Sequence, residues 1–359
     1  MTVSPTDHSA LRPSRVPELL ELSRRTTEPL LRAVVAGLTS PADRVASYHF
    51  GWTDREGRLT TGGGGKMLRP ALAYLSAGAV GALPGAGAPG GAAVELVHNF
   101  SLLHDDFMDG DRERRHRETA WVVFGPALAV LTGDALFARA PGLLLDETSG
   151  HASRTDRARA AQRLAEATTA LVNGQTGDLS FESRDHVTPQ ECLDMVAGKT
   201  GALLACASSV GAVLAGADDG VADALADFGL QLGLAFQAAD DLLGIWGDPA
   251  ATGKPARSDL RRRKKSLPVC AALAEGGRAS RELASRYLPA PAGEEQEAED
   301  LFLERCAYLI EEAGGRDWTR RESARRIRRA MEALDRIALP RDIREGFTAF
   351  ATFVVERRG

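Results

Sequence analysis

The chain has 359 residues, more than a typical single domain, but no linker rich in Pro, Ser or charge divides it. Its 44 basic and 49 acidic residues give a net charge of -5, which does not favour nucleic acid or an anionic membrane as a partner. The four cysteines form no C-x-x-C pair, so neither a disulfide framework nor a zinc site is indicated.

The first fifteen residues are polar and lack the apolar core of a signal peptide. We expect residues 1–20 to form a mobile N-terminal tail and residues 21–359 to form one domain. Apolar residues then recur at three- and four-residue spacing, as in 15–38 and 156–175, without the alternation of strands. The sequence therefore predicts an all-α fold, a many-helix array with a buried central layer.

A glycine-rich segment, 62–65, precedes Lys66 and Arg69. Glycines let backbone amides approach an anion closely just before a helix begins. Lys66 and Arg69 are therefore candidate phosphate-binding residues, and the alternative is a flexible turn with incidental charge.

A helical stretch over 92–103 leads into Asp105, Asp106 and Asp109. On a helix these acids fall within one arc of about 100°, with positions 105 and 109 one turn apart. Apolar flanks argue against a solvated acidic helix end, and Mg²⁺ prefers such oxygen ligands. The sequence therefore predicts a magnesium site here. His98, two turns earlier, lies on nearly the same face and is expected to point toward the acids.

Arg114 and Arg115 follow the first aspartate motif closely enough to contact phosphate oxygens held by the same metal. Further along, the uncharged run 200–217 is rich in Ala, Gly and Ser, which favours a core helix over a membrane span. We expect a cytoplasmic protein without a membrane span.

A second aspartate motif, Asp240 and Asp241, follows the first after 135 positions, but Gly244 stands where a third acid would fall. We expect it to bind metal less fully than the first, and the duplication suggests two halves facing one cavity. The chain has only five lysines. The lysine ammonium is a compact positive charge that suits a phosphate group, so phosphate binding explains why these five are present. They are Lys66, Lys199, Lys254, Lys264 and Lys265, the last two with less weight because they lie in the basic run 261–265.

Together, the two aspartate motifs, the segment ending in Lys66-Met67-Leu68-Arg69-Pro70 and the intervening arginine pair resemble the trans-prenyl diphosphate synthases, also called polyprenyl synthetases. The sequences of residues 98–106 and 240–248 are similar to those of actinobacterial geranylgeranyl diphosphate synthases. The resemblance implies a single-domain isoprenoid-synthase-like helical array around a central cavity, working as a homodimer. It also implies Mg²⁺-dependent condensation of isopentenyl diphosphate with an allylic diphosphate by ionisation, condensation and elimination.

The resemblance also implies roles for particular residues. Asp105 and Asp109 would bind two Mg²⁺ ions and Asp240 a third, and Asp106, Asp241 and Lys199 would belong to the catalytic set. The allylic diphosphate would be bound by Arg114, Lys199, Gln237 and Lys254. The isopentenyl diphosphate would be bound by Lys66, Arg69, His98 and Arg115. Gln175 and Asp178 would support the site from a facing helix.

The sequence departs from the family pattern at Met67, His116, Glu118 and Gly244, and Glu118 would place a negative charge near phosphate. Product length would depend on Phe100 and Ser101, five and four residues before the motif; this pattern is similar to that of C20 synthases, which make geranylgeranyl diphosphate. The alternatives are a farnesyl or longer-chain synthase, a class I terpene cyclase, or a non-catalytic regulatory subunit. A cyclase usually carries N-D-x-x-S-x-x-x-E, a motif that the sequence lacks.

Overall fold

The computed structural model describes residues 16–60, 65–148, 150–248, 257–288 and 299–355, and these are almost entirely helical. The helices are α1 Val16–Ala36, α2 Ala42–His49, α3 Leu68–Gly78, α4 Ala88–Met108, α5 Ala120–Phe124, α6 Pro126–Leu145, α7 Arg154–Glu182, α8 Pro189–Val196, α9 Ala202–Leu214, α10 Asp219–Trp246, α11 Ser258–Arg261, α12 Leu267–Glu275, α13 Arg278–Tyr287, α14 Glu299–Glu312, α15 Gly315–Asp335 and α16 Arg341–Val355. A two-stranded hairpin, β1 Glu113–Arg114 and β2 Arg117–Glu118, separates α4 from α5. The all-α prediction is confirmed.

The chain divides into two compact units. The first unit comprises Met1–Thr168, Leu203–Gly229 and Ala333–Phe350, and the second comprises Thr169–Ala202, Leu230–Glu332 and Ala351–Gly359. Helix α1 already begins at Val16, so residues 16–20 are helical and not a tail. Residues 1–15 lie outside the described residues, and the single-domain organisation stays a prediction.

In the first unit, the N-terminal half of α4 is buried on all sides, as the full burial of Ala92, Val94 and Leu96 shows. A helix that is apolar all round belongs in a core, and α4 packs there against α3 and α6. Its last turn leaves the core, because Phe107 and Met108 are exposed. The first aspartate motif therefore lies at the end of a rigidly packed helix.

In the second unit, apolar side chains of α10, α12, α13 and α14 form one core around the fully buried Tyr287. A second cluster joins Cys192 of α8 to Leu234 of α10 and Cys270 of α12. All four cysteines of the chain are buried and free, as the sequence predicts.

Two helical segments, Pro126–Leu145 and Pro189–Leu214, are long and apolar enough to cross a membrane by length and composition alone. The second of these contains α9, which is buried almost throughout and so confirms the predicted core helix. Only a third of the apolar window in α6 is buried. The absence of a membrane span therefore stays a prediction.

Candidate active site

The first aspartate motif occupies the last turn of α4. The backbone N–H of Asp109 donates to the carbonyl of Asp105 at 2.8 Å, so the helix continues to Asp109 and these two acids lie one turn apart, as predicted. Asp105 is partly exposed and Asp109 is exposed, whereas Asp106 is only 1% exposed. The motif therefore presents two acids toward solvent and turns one inward.

The buried acid, Asp106, forms an ion pair with Arg114 of the hairpin. Both Nε and Nη2 of Arg114 lie 2.6 Å from Asp106 Oδ1. Burial raises the pKa of Asp106, while the charge and hydrogen bonds of Arg114 oppose this. Since its carboxylate is directed to Arg114, Asp106 fixes the first arginine of the pair relative to α4.

The hairpin places the second arginine, Arg115, in its turn. Arg115 and His116 both have left-handed φ angles, 54° and 61°, as in a type I′ turn. This conformation costs non-glycine residues roughly 1–2 kcal/mol each, so the turn is strained. Arg117 braces the hairpin, because its guanidinium stacks 4.3 Å from the Tyr48 ring centroid and donates to the carbonyl of Thr53 at 2.8 Å.

Glu118, which departs from the family pattern, has Oε2 3.5 Å from Nη1 of Arg55. Its negative charge is therefore partly offset by a cation, which lessens the expected effect on phosphate binding.

Arginines converge on a buried acid that sequence reasoning missed, Glu95 of α4. Burial raises the pKa of Glu95, while Arg69, Asn99, Arg115 and Arg24 lower it. The side-chain amide of Asn99 donates to Glu95 Oε1 at 3.2 Å. Arg69 and Arg115 are thus brought together, as the resemblance implies for the isopentenyl diphosphate site. Glu95 therefore places a buried carboxyl group within the electrostatic reach of these arginines.

The glycine-rich segment adjoins the same cluster at its last glycine. Arg24 of α1 donates to the carbonyl of Gly65 at 2.9 Å, and a Cβ atom at Gly65 would lie only 3.1 Å from Arg115 Nη2. Lys66 follows directly and is exposed. Glycines 62–64 lie outside the described residues.

Two histidines beside these arginines are held neutral. Burial and then Arg69, Arg115 and Arg114 lower the pKa of His98 well below its usual value. The charged groups that lower its pKa are cations, and the expectation that His98 points toward the acids stays a prediction. His49, which carries no sequence signal, has its pKa lowered to about 3 by burial and by Arg114 and Arg115. It lines a cavity of about 160 Å³ together with Asp106 and both arginines.

The predicted chain-length residues lie one turn further back on α4. The Phe100 ring centroid is 5.3 Å from that of Phe137 on α6 and 4.8 Å from that of His104. Ser101 is buried, and its hydroxyl donates to the carbonyl of His98 at 2.9 Å. Phe100 therefore belongs to an aromatic cluster that includes a residue, Phe137, which sequence reasoning did not find.

In the second unit, Lys199 lies in a π-helical turn, Ala197–Gly201, between α8 and α9. A Cβ atom at Gly174 of α7 would lie 2.2 Å from the backbone nitrogen of Lys199, so only glycine allows these two backbones to approach. The Lys199 ammonium forms an ion pair with Asp178 of α7. Such π-helical turns often occur at functional sites, and this one brings the predicted lysine and its predicted supporting acid together.

The second aspartate motif also has a buried and a partly exposed acid. Asp241 is 2% exposed, accepts from the Gln237 amide at 2.9 Å and from the Leu267 N–H at 3.0 Å, and so ties α10 to the start of α12. Burial raises the pKa of Asp241 to about 6, which the charge of Lys264 opposes. Asp240 is the partly exposed acid. Asp241 therefore has a structural environment, and Asp240 remains available to a ligand.

Lys264, given little weight from sequence, lies beside this motif with its Nζ 3.9 Å from Asp241 Oδ1. Burial opposes its charge, but Asp241, Asp259, Asp178 and Asp240 raise its pKa above the usual value. The scarcity of lysine in the chain was the signal that could have found it. Lys254, predicted to bind the allylic diphosphate, lies outside the described residues.

Among the described residues, no three His, Cys, Asp or Glu side chains are grouped as a metal-binding cage. Mg²⁺ does not require one, since it keeps several waters and binds one or two carboxylates plus substrate phosphates. Asp105 and Asp109 offer such carboxylates at the C-terminal end of a helix, where the helix dipole disfavours negative charge unless a cation is present. The residues of the first motif therefore fit Mg²⁺, and Asp240 fits a further contact.

Comparison with known proteins agrees with this geometry. The polyprenyl synthetase family model matches residues 52–304. A (2E,6E)-farnesyl diphosphate synthase of Mycobacterium tuberculosis (strain ATCC 25618 / H37Rv) is 45% identical over 340 residues, covering 95% of this chain and 93% of the relative. A geranylgeranyl diphosphate synthase of the same strain is 45% identical over 316 residues, covering 88% of each chain. The crystal structure of a polyprenyl synthetase from Streptomyces coelicolor A3(2) shares 56% identity at a TM-score of 0.89, covering 95% of this chain and 99% of that one. This chain therefore belongs to the polyprenyl synthetase family.

Proposed function

We propose that the chain is a trans-prenyltransferase that condenses isopentenyl diphosphate with an allylic diphosphate and makes geranylgeranyl diphosphate. The observation that carries the proposal is that each aspartate motif has its own cations. Arg114 pairs with the first motif, and Lys264 lies beside the second. Two diphosphate substrates and their metal ions require this combination of acids and cations.

The proposed binding roles follow the resemblance. Arg114, Lys199, Gln237 and Lys254 bind the allylic diphosphate, and Lys264 joins them. The isopentenyl diphosphate is bound by Lys66, Arg69, His98 and Arg115. Glu95 orients the two arginines. Neutral His98 can make a hydrogen bond to phosphate without adding charge to a cluster that is already cationic. Asp105, Asp109 and Asp240 hold Mg²⁺, with three ions proposed.

The reaction needs no side-chain nucleophile. The bond between C1 of the allylic substrate and its diphosphate oxygen breaks, and Arg114 and Lys199 stabilise the charge that develops on the leaving diphosphate. When bound, Mg²⁺ supplies Lewis-acid stabilisation of the same oxygens. The isopentenyl double bond forms the new carbon–carbon bond at C1, and the released diphosphate takes the proton that is lost.

The C20 product is proposed from Phe100. If the growing chain extends from the metals along α4, the Phe100 ring, supported by Phe137, would stop it about one turn before Asp105. The two mycobacterial relatives bear farnesyl and geranylgeranyl names at equal identity, so similarity alone does not choose between these products. A C15 product or one longer than C20 is the alternative within the family.

The proposed product has a direct test in the Phe100→Ala variant. Removing the ring should lengthen the product by at least one isoprene unit, as measured by mass spectrometry. Phe107→Ala is the matched control, because Phe107 lies on the same helix but is exposed and contacts Trp121. An unchanged product length in Phe100→Ala would show that Phe100 does not limit the length of the growing chain. The proposed reaction class would still stand.

The reaction class is tested with purified protein, Mg²⁺, isopentenyl diphosphate and dimethylallyl, geranyl or farnesyl diphosphate as primer. Elongated diphosphates support the synthase. A hydrocarbon product would identify a class I terpene cyclase, and no turnover with any primer would identify a non-catalytic regulatory subunit.

We also propose that the protein is a cytoplasmic homodimer. Helix α6 supports an interface between copies, because Leu131 and Leu145 are 61% and 51% exposed on it. Light scattering after size-exclusion chromatography should give twice the chain mass, and a monomer would contradict this assembly.

A further inference from the structure

The acid missing from the second aspartate motif has a replacement from elsewhere in the second unit. A Cβ atom built at Gly244 would lie 2.3 Å from Oδ2 and 2.5 Å from Cγ of Asp259. Real Cβ atoms do not approach other atoms this closely. The Asp259 carboxylate therefore occupies the space that any side chain at position 244 would need.

This position places Asp259 on the ligand face of α10. Gly244 lies one turn after Asp240, and residues four apart on a helix are neighbours on its surface. The Asp259 carboxylate, packed on Gly244, therefore lies on the face where the third acid of a D-D-x-x-D motif would begin. Asp259 supplies a carboxylate there that the local sequence lacks.

The segment that carries Asp259 is held firmly. Leu260 next to it is fully buried, and the Lys264 N–H donates to the Asp259 carbonyl at 2.9 Å. The hydroxyl of the buried Tyr287 donates to the carbonyl of Lys264 at 2.9 Å and lies 3.4 Å from that of Asp259. The backbone position of Asp259 is thus set by the core of the unit.

The surroundings of the second motif favour a polar ligand. Lys264 Nζ lies 3.9 Å from Asp241 Oδ1, and Lys199 is paired with Asp178. Asp241 of the motif, but neither Asp240 nor Asp259, lines a small cavity of about 30 Å³ together with Lys199 and Lys264. Ser266 also lines it, with a hydroxyl oxygen that is buried and has no hydrogen-bond partner among the described residues. Buried polar atoms are normally satisfied, so this oxygen points to a ligand group.

We propose that Asp259 is the third carboxylate of the second aspartate motif and acts with Asp240 on the Mg²⁺ that accompanies the allylic diphosphate. Gly244 is then the residue that makes room for it. The inference rests on the proposed function and gives it a further metal-site residue. It also explains why the departure at Gly244 does not disable the motif.

The test measures Mn²⁺ binding by electron paramagnetic resonance in the presence of inorganic diphosphate. An Asp105→Ala/Asp109→Ala background leaves only the second motif to bind the ion. Asp259→Asn should weaken Mn²⁺ binding roughly tenfold or more. Gly244→Ala should do the same without any change of charge, because its Cβ displaces the carboxylate. Asp317→Asn, which removes an exposed acid of the same unit, is the matched control and should leave binding unchanged.

The effects of substitutions at Asp259 and Gly244 on Mn²⁺ binding should not be additive. Because both remove the same carboxylate, Gly244→Ala should cost nothing further in an Asp259→Gly background. Gly244→Asp combined with Asp259→Gly moves the acid to the usual motif position and should recover binding. If Asp259→Asn does not fold, as thermal unfolding would show, Gly244→Ala still decides the question.

The outcomes separate this inference from the proposed function. If the Asp105→Ala/Asp109→Ala chain binds Mn²⁺ with diphosphate, and adding Asp259→Asn or a folded Gly244→Ala leaves that binding equally tight, Asp259 is not a metal-site residue. If the Asp105→Ala/Asp109→Ala chain binds no Mn²⁺, the second motif holds no ion by itself and the inference fails. If the unsubstituted chain makes prenyl products, the proposed function stands whichever way that comparison falls. If it neither binds Mn²⁺ with diphosphate nor makes product, both proposals fail.

Discussion

The ion pair between Asp106 and Arg114 predicts opposite stability effects for neighbouring acids of one motif. Asp106→Asn keeps the shape of the side chain and one acceptor oxygen but removes the charge that holds Arg114. Hydrogen bonds to charged groups contribute about 1.5–3 kcal/mol each. Part of the loss is offset, because the Arg114 side chain is 32% exposed and because the burial that raises the pKa of Asp106 disfavours its charge. We expect the free energy of unfolding to fall by about 1–3 kcal/mol.

Asp109→Asn is the matched control on the same helix. Asp109 is exposed at the C-terminal end of α4, where a negative charge opposes the helix dipole. Removing its charge should leave stability unchanged or raise it by about 0.3–1 kcal/mol. Both variants should lose prenyltransferase activity, since one loses the position of Arg114 and the other a proposed metal ligand.

The assay is chemical unfolding of both variants in EDTA, so that metal binding does not contribute to stability. The buried ion pair does not stabilise the fold if Asp106→Asn unfolds at the same denaturant concentration as the unsubstituted chain, or if Asp109→Asn destabilises the chain as much as Asp106→Asn does.

Three further predictions concern other parts of the two units. The pKa of His49 is lowered to about 3, so below pH ~6.5 the unfolded chain binds a proton that the native state does not, and the free energy of unfolding should fall toward pH 3 by up to about 1.4 kcal/mol per pH unit. Urea unfolding at pH 7 and pH 5 should show a smaller loss of stability in His49→Gln than in the unsubstituted chain, and equal losses would contradict this. His116→Gly should stabilise the chain by about 1 kcal/mol in the same assay by relieving a left-handed conformation, and destabilisation would show that the turn is not strained. Gly174→Ala should lower both activity and melting temperature, because its Cβ would lie 2.2 Å from the backbone nitrogen of Lys199. Gly177→Ala, whose Cβ would have its nearest atom at 3.6 Å, should be tolerated, and similar behaviour of the two variants would contradict the need for glycine at position 174.

Local patterns sufficed for the helical fold and for the first aspartate motif. Helical periodicity depends on near neighbours in the chain, so the spacing of Asp105 and Asp109 one turn apart followed from the sequence and is confirmed. The same reasoning gave the core helix near 200–217. It could not give the hairpin, because two-residue strands are too short to produce a periodic pattern.

Features that depend on distant contacts were not predictable. Periodicity placed His98 on the face of the acids, but it does not show which elements pack there, and the arginines that surround it come from α3 and the hairpin. Glu95 was missed because an acid within an apolar helix only interrupts the apolar pattern, and the arginines near it come from distant parts of the chain. The loss of an acid at Gly244 was visible in the sequence, whereas its replacement by Asp259 is a tertiary contact.

The proposed function is tested most directly by incorporation of radiolabelled isopentenyl diphosphate into prenyl diphosphates by the purified chain and by its Asp105→Ala variant. The unsubstituted chain should form a C20 diphosphate only when Mg²⁺ is present. Asp105→Ala removes a proposed metal ligand without disturbing the pair between Asp106 and Arg114, and it should form almost none. No incorporation by the unsubstituted chain with any allylic primer, or equal incorporation by Asp105→Ala, would contradict it.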